Sequence, residues 1–385
     1  MKKTFFAKTF GSAVFAVVAL AVAALAATIA LSSCSFYDSG NDFWIEQAAG
    51  GKSVQITRYS GEKARVRIPP RIRNFPVTQI GERVFIGGTY DKNSSFVADN
   101  QLSGVLIPGS VTSIGSYAFA NNRLSRVSIP GKITVIREGT FYGNRLSRVN
   151  IPRSVERIEG SAFTSNRISR LVIPDSVTVI AGGNGSGAFM GNQIATLVLG
   201  KNVNTIGENA FRENRITKLT IPQSVTDIGA WAFARNNLVT VDIPAGVANI
   251  GKGPFMGNPE LAAINVAAEN ENYSSSGGVL YNKDRTVVLQ WPAGKLVLIP
   301  ADVTEIGDDA FRESQLIAVT IPEGVTSIGT SAFRNNRLTR IVIPESVKSI
   351  AAGAFAENQI TDVVVPRQAR IDNGAFDQDV NITRG

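Results

Sequence analysis

The chain has 385 residues, 44% of them hydrophobic, 8% aromatic and 18% charged, with a formal net charge of +8. That is ample apolar material for a packed core and is not the composition of a disordered polymer. Histidine is absent and cysteine occurs once, at Cys34, which excludes His–Cys zinc sites, Ser-His-Asp triads and a disulfide within one chain.

Lys2, Lys3 and Lys8 precede an apolar run at 12–31, and no acidic residue comes before Asp38. This is the layout of a secretory signal; a run of about 20 apolar residues is also long enough to span a bilayer as an uncleaved anchor. "LSSC" at 31–34 resembles a bacterial lipobox. The resemblance implies secretion across the inner membrane, removal of residues 1–33 and acylation of Cys34 as the lipid-attachment residue. Each buried methylene contributes ~0.8 kcal/mol, and two acyl chains give stable anchoring where one does not. Loss of three lysines and no acid would lower the formal charge to 8 − 3 = +5. Residues 34–41 read as a tether. Ser35 and Phe36 carry no retention signal of the aspartate type, so the outer membrane or cell surface is the expected location. Contact with the membrane is expected through the lipid alone.

Beyond the tether one repeat dominates. "NNRLSRVSIP" at 121–130 returns as "GNRLSRVNIP" at 143–152, "SNRISRLVIP" at 165–174 and "NNRLTRIVIP" at 335–344. Prolines recur at 69, 108, 130, 152, 174, 222, 244, 300, 322, 344 and 366, mostly in steps of 22. Gly200 takes the place of proline in a coil lengthened by four residues. The unit reads N-x-L-x-x-V-x-I-P-x-x-V-x-x-I-x-x-x-A-F-x-x. Such a period signals a solenoid rather than a string of separate domains.

Within the unit, Ile341 and Ile343 alternate with Arg340 and Val342, as a strand with one buried face requires. Proline has no N–H to continue a ladder, so Pro344 ends the strand at a corner. Val347 and Ile350 supply a second inward pair, and Phe355 then drops into the centre. Twenty-two residues hold no long helix, so the far side is predicted to be a short strand and a tight helical turn. Twelve phenylalanines, at 85, 119, 141, 163, 189, 211, 233, 255, 311, 333, 355 and 376, are predicted to form one spine. Three residues after most of them stands an asparagine, from Asn122 to Asn358, with Ser314 substituting once and Asn100 displaced by a long loop. An amide both donates and accepts, so stacked asparagines can satisfy the turns above and below.

The pattern LxxVxIPxxVTxIGxxAFxxN resembles the BspA-type leucine-rich repeat of bacterial surface proteins. Residues 42–85 resemble that family's amino-terminal cap with the first coil. Residues 270–295 resemble its hairpin insertion, with Gly277 where "DGVLY" normally begins. Members typically carry Cys where this chain has Asn. The resemblance implies a β-rich leucine-rich-repeat solenoid, with a parallel sheet on one face and short strands or helical turns on the other. About 12 coils of 22 residues are expected, with an N-terminal β cap and one β-hairpin insertion. The expected divisions are a solenoid over 86–258, the insertion over 259–299, further solenoid over 300–366, and a cap and tail over 367–385. The resemblance further implies adhesion to host or neighbouring-cell surface proteins, including matrix components.

Chemical motifs dissolve on inspection. "GVANIGKG" at 246–253 matches a P-loop through Lys252 but places Gly253 where Ser or Thr must hold magnesium. Val247 and Ile250 occupy core columns of the repeat. "GGNGSG" at 182–187 is a bulge in the lengthened coil. Asp308 and Asp309 are adjacent and predicted to splay apart on a solvated turn. No nucleophile, base and oxyanion site assemble, so the chain is read as no enzyme, with no cofactor and no specific nucleic acid.

A solenoid acts through what its strands present outward. Those positions hold Arg123, Arg126, Arg145, Arg148, Arg167, Arg170, Arg215 and Lys218. With adjacent coils ~4.8 Å apart, equivalent arginines would lie close, and like charges opposite one another destabilise. Residues 119–174 hold ten Lys/Arg against three acids, net 10 − 3 = +7, whereas 300–366 hold five against nine, net 5 − 9 = −4. The cationic strip suits an acidic protein surface, an acidic or sulfated glycan, or envelope phosphate. The alternatives are a face kept soluble by charge, or a structural envelope protein with no ligand.

Overall fold

The computed structural model describes residues 37–385 except 88, 91–95, 98–100, 184 and 294–296, with backbone alone at 89–90 and 96–97. The segment expected to be a signal, residues 1–33, together with Cys34 and Asn100, lies outside the described residues. No described helix is long and apolar enough to cross a membrane.

The second inward pair builds the most regular part of the coil. Its isoleucine ends a two-residue strand in nearly every turn, and these strands pair in parallel, Ile136↔Ile158↔Ile180↔Ile206↔Ile228↔Ile250. A second ladder after the insertion runs Ile306↔Ile328↔Ile350↔Ile371. The strand before the proline pairs less. Among the described residues its ladders are Arg65–Arg67 with Gly104–Leu106, Arg170–Val172 with Thr196–Val198, Thr240–Ile243 with Ala263–Val266, and Asp362–Val365 with Asn381–Arg384. The continuous sheet therefore lies behind the proline corner, while the arginine-bearing face is a series of separate pairs. Burial there still alternates: Ile341 and Ile343 are buried, Arg340 and Val342 exposed. The fold has about 14 turns. Val54–Tyr59 and Val287–Gln290 join the second-side ladders without a phenylalanine of their own.

The turns around each phenylalanine are not helical. In most of them the residues two before and two after the ring adopt positive φ, as at Tyr117 and Asn121 (55° and 56°) or Trp231 and Arg235 (54° and 53°). A left-handed residue costs ~1–2 kcal/mol for most side chains, and two per turn prevent a helix from propagating. Coil-to-coil bonds offset this cost, for example Phe141 N–H to the Ala162 carbonyl at 2.9 Å. The one helix among the described residues is the 3-10 turn Gly40–Asp42.

The asparagine row is structural. Asn144 Oδ1 accepts from Leu124 N–H at 3.0 Å, and its Nδ2 donates to the carbonyls of Phe119 and Phe141 at 2.8 and 3.2 Å. The same set recurs at Asn122, Asn166, Asn192, Asn214 and Asn236. Each amide thus serves its own turn and the preceding one, rather than the turns on both sides.

The phenylalanine spine divides in two. Rings from Phe85 to Phe255 stack at 5.1–6.0 Å, and Phe311 to Phe376 at 4.8–5.1 Å. Trp291 heads the second stack, 5.2 Å from Phe311, and its backbone N–H reaches the Ala310 carbonyl as a spine phenylalanine's would. The buried apolar residues accordingly form two clusters that meet at the insertion. The insertion is a three-strand antiparallel meander, Tyr273–Ser276, Val279–Asn282 and Val287–Gln290, whose last strand enters the parallel ladder. At the other end, the hairpin Phe43–Gln47 with Val54–Tyr59 sets Phe43 and Tyr59 against Phe85 and closes the first stack.

Side chains on the turn side bridge the insertion. Arg235 reaches Glu313 at 2.8 Å while also pairing with Glu213, and Trp231 Nε1 donates to Asp309 at 3.0 Å. They pass over Gly253 and Gly257, where an added Cβ would meet Trp231, Asp309, Arg235 and Glu313. The expectation of a solvated Asp308–Asp309 edge fails in half: Asp308 is exposed, but Asp309 is buried by this contact and its ion pair with Arg312.

Tyr117 sits in the same turn row. Burial, then its hydrogen bond to Glu138 and the charge of that carboxylate, push the phenol from 10.0 up to about 12. A raised folded value means that this contribution to stability is complete below pH 10 and is lost as pH rises through about 12. Phenolate absorbance should therefore show a component near pH 12 that Tyr117→Phe removes. Titration curves that coincide for the two proteins would refute the assignment.

Candidate binding face

The local sequence R-[LI]-S-R decides what points outward. Leu124, Leu146 and Ile168 are fully buried, which turns the flanking arginines and the intervening Ser125, Ser147 and Ser169 to solvent. Arg123, Arg145 and Arg167 each donate their backbone N–H to the Leu carbonyl of the preceding coil, at 2.8, 3.0 and 3.0 Å. Arg215 does the same to Ile194 at 3.0 Å. That row is locked in register. Arg126 and Arg148 lie outside the paired strands, and Arg170 pairs with Thr196, not with another arginine. In the second row, then, no strand ladder among the described residues sets one arginine opposite another.

All eight predicted cations, Lys218 included, are exposed, and among the described residues none forms an ion pair. Turn-side arginines behave differently: Arg212, Arg235, Arg312 and Arg334 all pair with carboxylates. These four arginines are neutralised, whereas the eight cations on the strand face are not.

Where the strand ladders break, the face opens into clefts. One of about 400 Å³ lies between Gly104–Leu106 and the next coil, lined by Arg65, Arg67, Ser103, Ser125 and Arg126. Repeat reasoning missed Arg65 and Arg67 because the first coil departs from the 22-residue period. A second, of about 440 Å³, holds Lys218, Asp242 and Asn265, and a third, of about 530 Å³, holds Val342, Val364 and Glu323.

In the C-terminal coils outward positions beside the arginine columns are apolar. Leu298, Ile317, Val342 and Val364 are 73%, 73%, 78% and 58% exposed. The P-loop-like segment is an ordinary coil: Val247 is buried, Gly251 abuts the backbone of Ala230, and Lys252 lies 4.9 Å over the Trp231 ring.

Short coils stacked on an aromatic core, with almost no helix and with outward rows of recurring side chains, define a leucine-rich-repeat scaffold. The profile of the BspA type leucine rich repeat region matches residues 89–184, 183–280 and 295–384, and the chain belongs to this family. A leucine rich cell surface protein of Faecalibacterium prausnitzii A2-165 is similar in structure, at 26% identity and a TM-score of 0.57 over 90% of this chain and 94% of that one. The pneumococcal vaccine antigen PcpA is similar in fold, at 20% identity and a TM-score of 0.50, over 89% and 79%. None of the curated proteins matches significantly.

Proposed function

We propose that this protein is a secreted, lipid-anchored cell-surface protein that adheres to host or neighbouring-cell surface or matrix proteins through its outward strand face. The observation that carries the reading is the set of exposed Leu298, Ile317, Val342 and Val364, the last two lining a cleft of about 530 Å³. Protein interfaces gather around such apolar anchors, with charge at the rim. The description of the Faecalibacterium neighbour as a cell surface protein supports the location. The reading involves no catalytic step.

Immobilised protein should capture partners from extracts of host matrix or of neighbouring bacteria. The pair Val342→Asp and Val364→Asp should abolish capture while leaving the circular dichroism spectrum unchanged. Equal capture by the folded double variant would overturn the assignment of the face. Palmitate labelling of expressing cells should mark the protein, and Cys34→Ala should remove the label.

A further inference from the structure

The geometry points to a second site, independent of the apolar coils: we infer that the N-terminal coils bind a linear sulfated or carboxylated polysaccharide along the solenoid axis. Its chain would run across two arginine rows, and an acidic group would lodge in the cleft between Arg65 and Arg126. This goes beyond the adhesion reading and does not depend on it.

The first support is the unpaired charge. Arg123, Arg145 and Arg167 are exposed, form no ion pair among the described residues, and are held one coil apart by backbone hydrogen bonds. Arg126, Arg148 and Arg170 lie three residues further along the same segments and are also exposed. Like charges brought together destabilise the free protein, so an anion laid along them relieves their mutual repulsion. Guanidinium forks engage sulfate and carboxylate oxygens two at a time.

The second support is the shape and lining of the cleft. It is concave and holds Arg65 and Arg126 with the hydroxyl of Ser125, the first of the exposed serines between the arginines, while Ser103 on its wall donates its own hydroxyl to the Ala64 carbonyl at 3.1 Å. Hydroxyls beside guanidinium groups suit a ligand dense in oxygen. The segments 123–128, 145–150 and 167–172 contain no aromatic residue. Protein interfaces concentrate aromatics at their centre, and single-stranded nucleic acids need aromatic faces on which to stack. A charged polysaccharide needs neither.

The probe is heparin, measured against the full-length protein in detergent, with neutral dextran and single-stranded DNA as comparisons. Heparin should bind at 0.1 M salt and release by 1 M, where the Debye length has fallen from ~10 Å to ~3 Å. The pair Arg65→Gln and Arg126→Gln should weaken binding roughly tenfold, and the triple Arg123→Gln, Arg145→Gln and Arg167→Gln by at least that much. Arg337→Gln with Arg340→Gln, on the C-terminal coils, should change affinity less than twofold. Heparin should also raise the melting temperature, since it binds only the folded state. Affinity equal in all variants, binding that survives 1 M salt, equal binding of dextran, or a preference for DNA would each overturn the inference. Capture of proteins by the Val342 face is scored separately, so either proposal can fail alone.

Discussion

Replacing Asn166 with alanine should destabilise the fold by about 3–5 kcal/mol, far more than a surface asparagine such as Asn237, expected within about 0.5 kcal/mol. Asn166 is buried, and its Oδ1 is the acceptor for Leu146 N–H at 3.0 Å. Removing the amide leaves that buried donor without a partner, at a cost of ~1–3 kcal/mol. Three further bonds, to the carbonyls of Phe141, Phe163 and Thr164 at 2.9, 3.1 and 3.4 Å, vanish with it. The two phenylalanine carbonyls are not stranded, because Phe141 also accepts from Asn144 and Phe163 from Asn192. The overlap predicts coupling: in Asn144→Ala with Asn166→Ala, the Phe141 carbonyl loses both donors. The double variant should exceed the sum of the singles by on the order of 1 kcal/mol. Guanidinium denaturation followed by circular dichroism measures all three. A single-variant loss below about 1 kcal/mol, or strict additivity, would mean that water replaces the amide and that the row is not what ties coil to coil.

The asparagine row was legible because periodicity converts position into environment. Once Phe141 and Phe163 are known to share a column, the residues three places later share one too, and an amide is the side chain that satisfies buried turn backbone. The same logic placed Leu124, Val155 and Ile158 inside and the eight exposed cations outside. Column reasoning cannot see contacts between different columns or across a break in the period. Arg235 and Glu313 are 78 residues apart and meet over Gly253 and Gly257 of the intervening turn, where a side chain would block them. Asp309 was read as solvated for the same reason: its cover, Trp231, comes from beyond the insertion. The paired β segments on the arginine face were also beyond reach. Every coil there has nearly the same letters, yet only some pairs of coils close their hydrogen bonds. The Arg65–Arg126 cleft arises at one such opening.

The break in the period also hides the residue on which the C-terminal half most depends. Trp291→Ala should cost about 3–5 kcal/mol, the range for emptying a large aromatic site in a core. Trp291→Phe should be close to neutral or stabilising. The difference follows from where the indole sits. Its ring stacks on Phe311 at 5.2 Å and is buried, so truncation leaves the top of the second stack open. Its Nε1, however, is buried with no hydrogen-bond partner among the described residues. An orphan donor of that kind costs ~1–3 kcal/mol. Phenylalanine supplies the ring that every neighbouring turn uses and removes the orphan, against a modest loss of filled volume. Because coils are stabilised mainly by nearest neighbours, the alanine variant should lose hydrogen-exchange protection over 297–376 first, while 102–255 stays protected. Arg235–Glu313 and Trp231–Asp309 still bridge the halves on the turn side, and their removal in the alanine background should separate the two unfolding transitions completely. Uniform loss of protection along the whole chain would show instead that the two stacks behave as one core. A phenylalanine variant as damaged as the alanine one would show that the indole N–H has a partner after all.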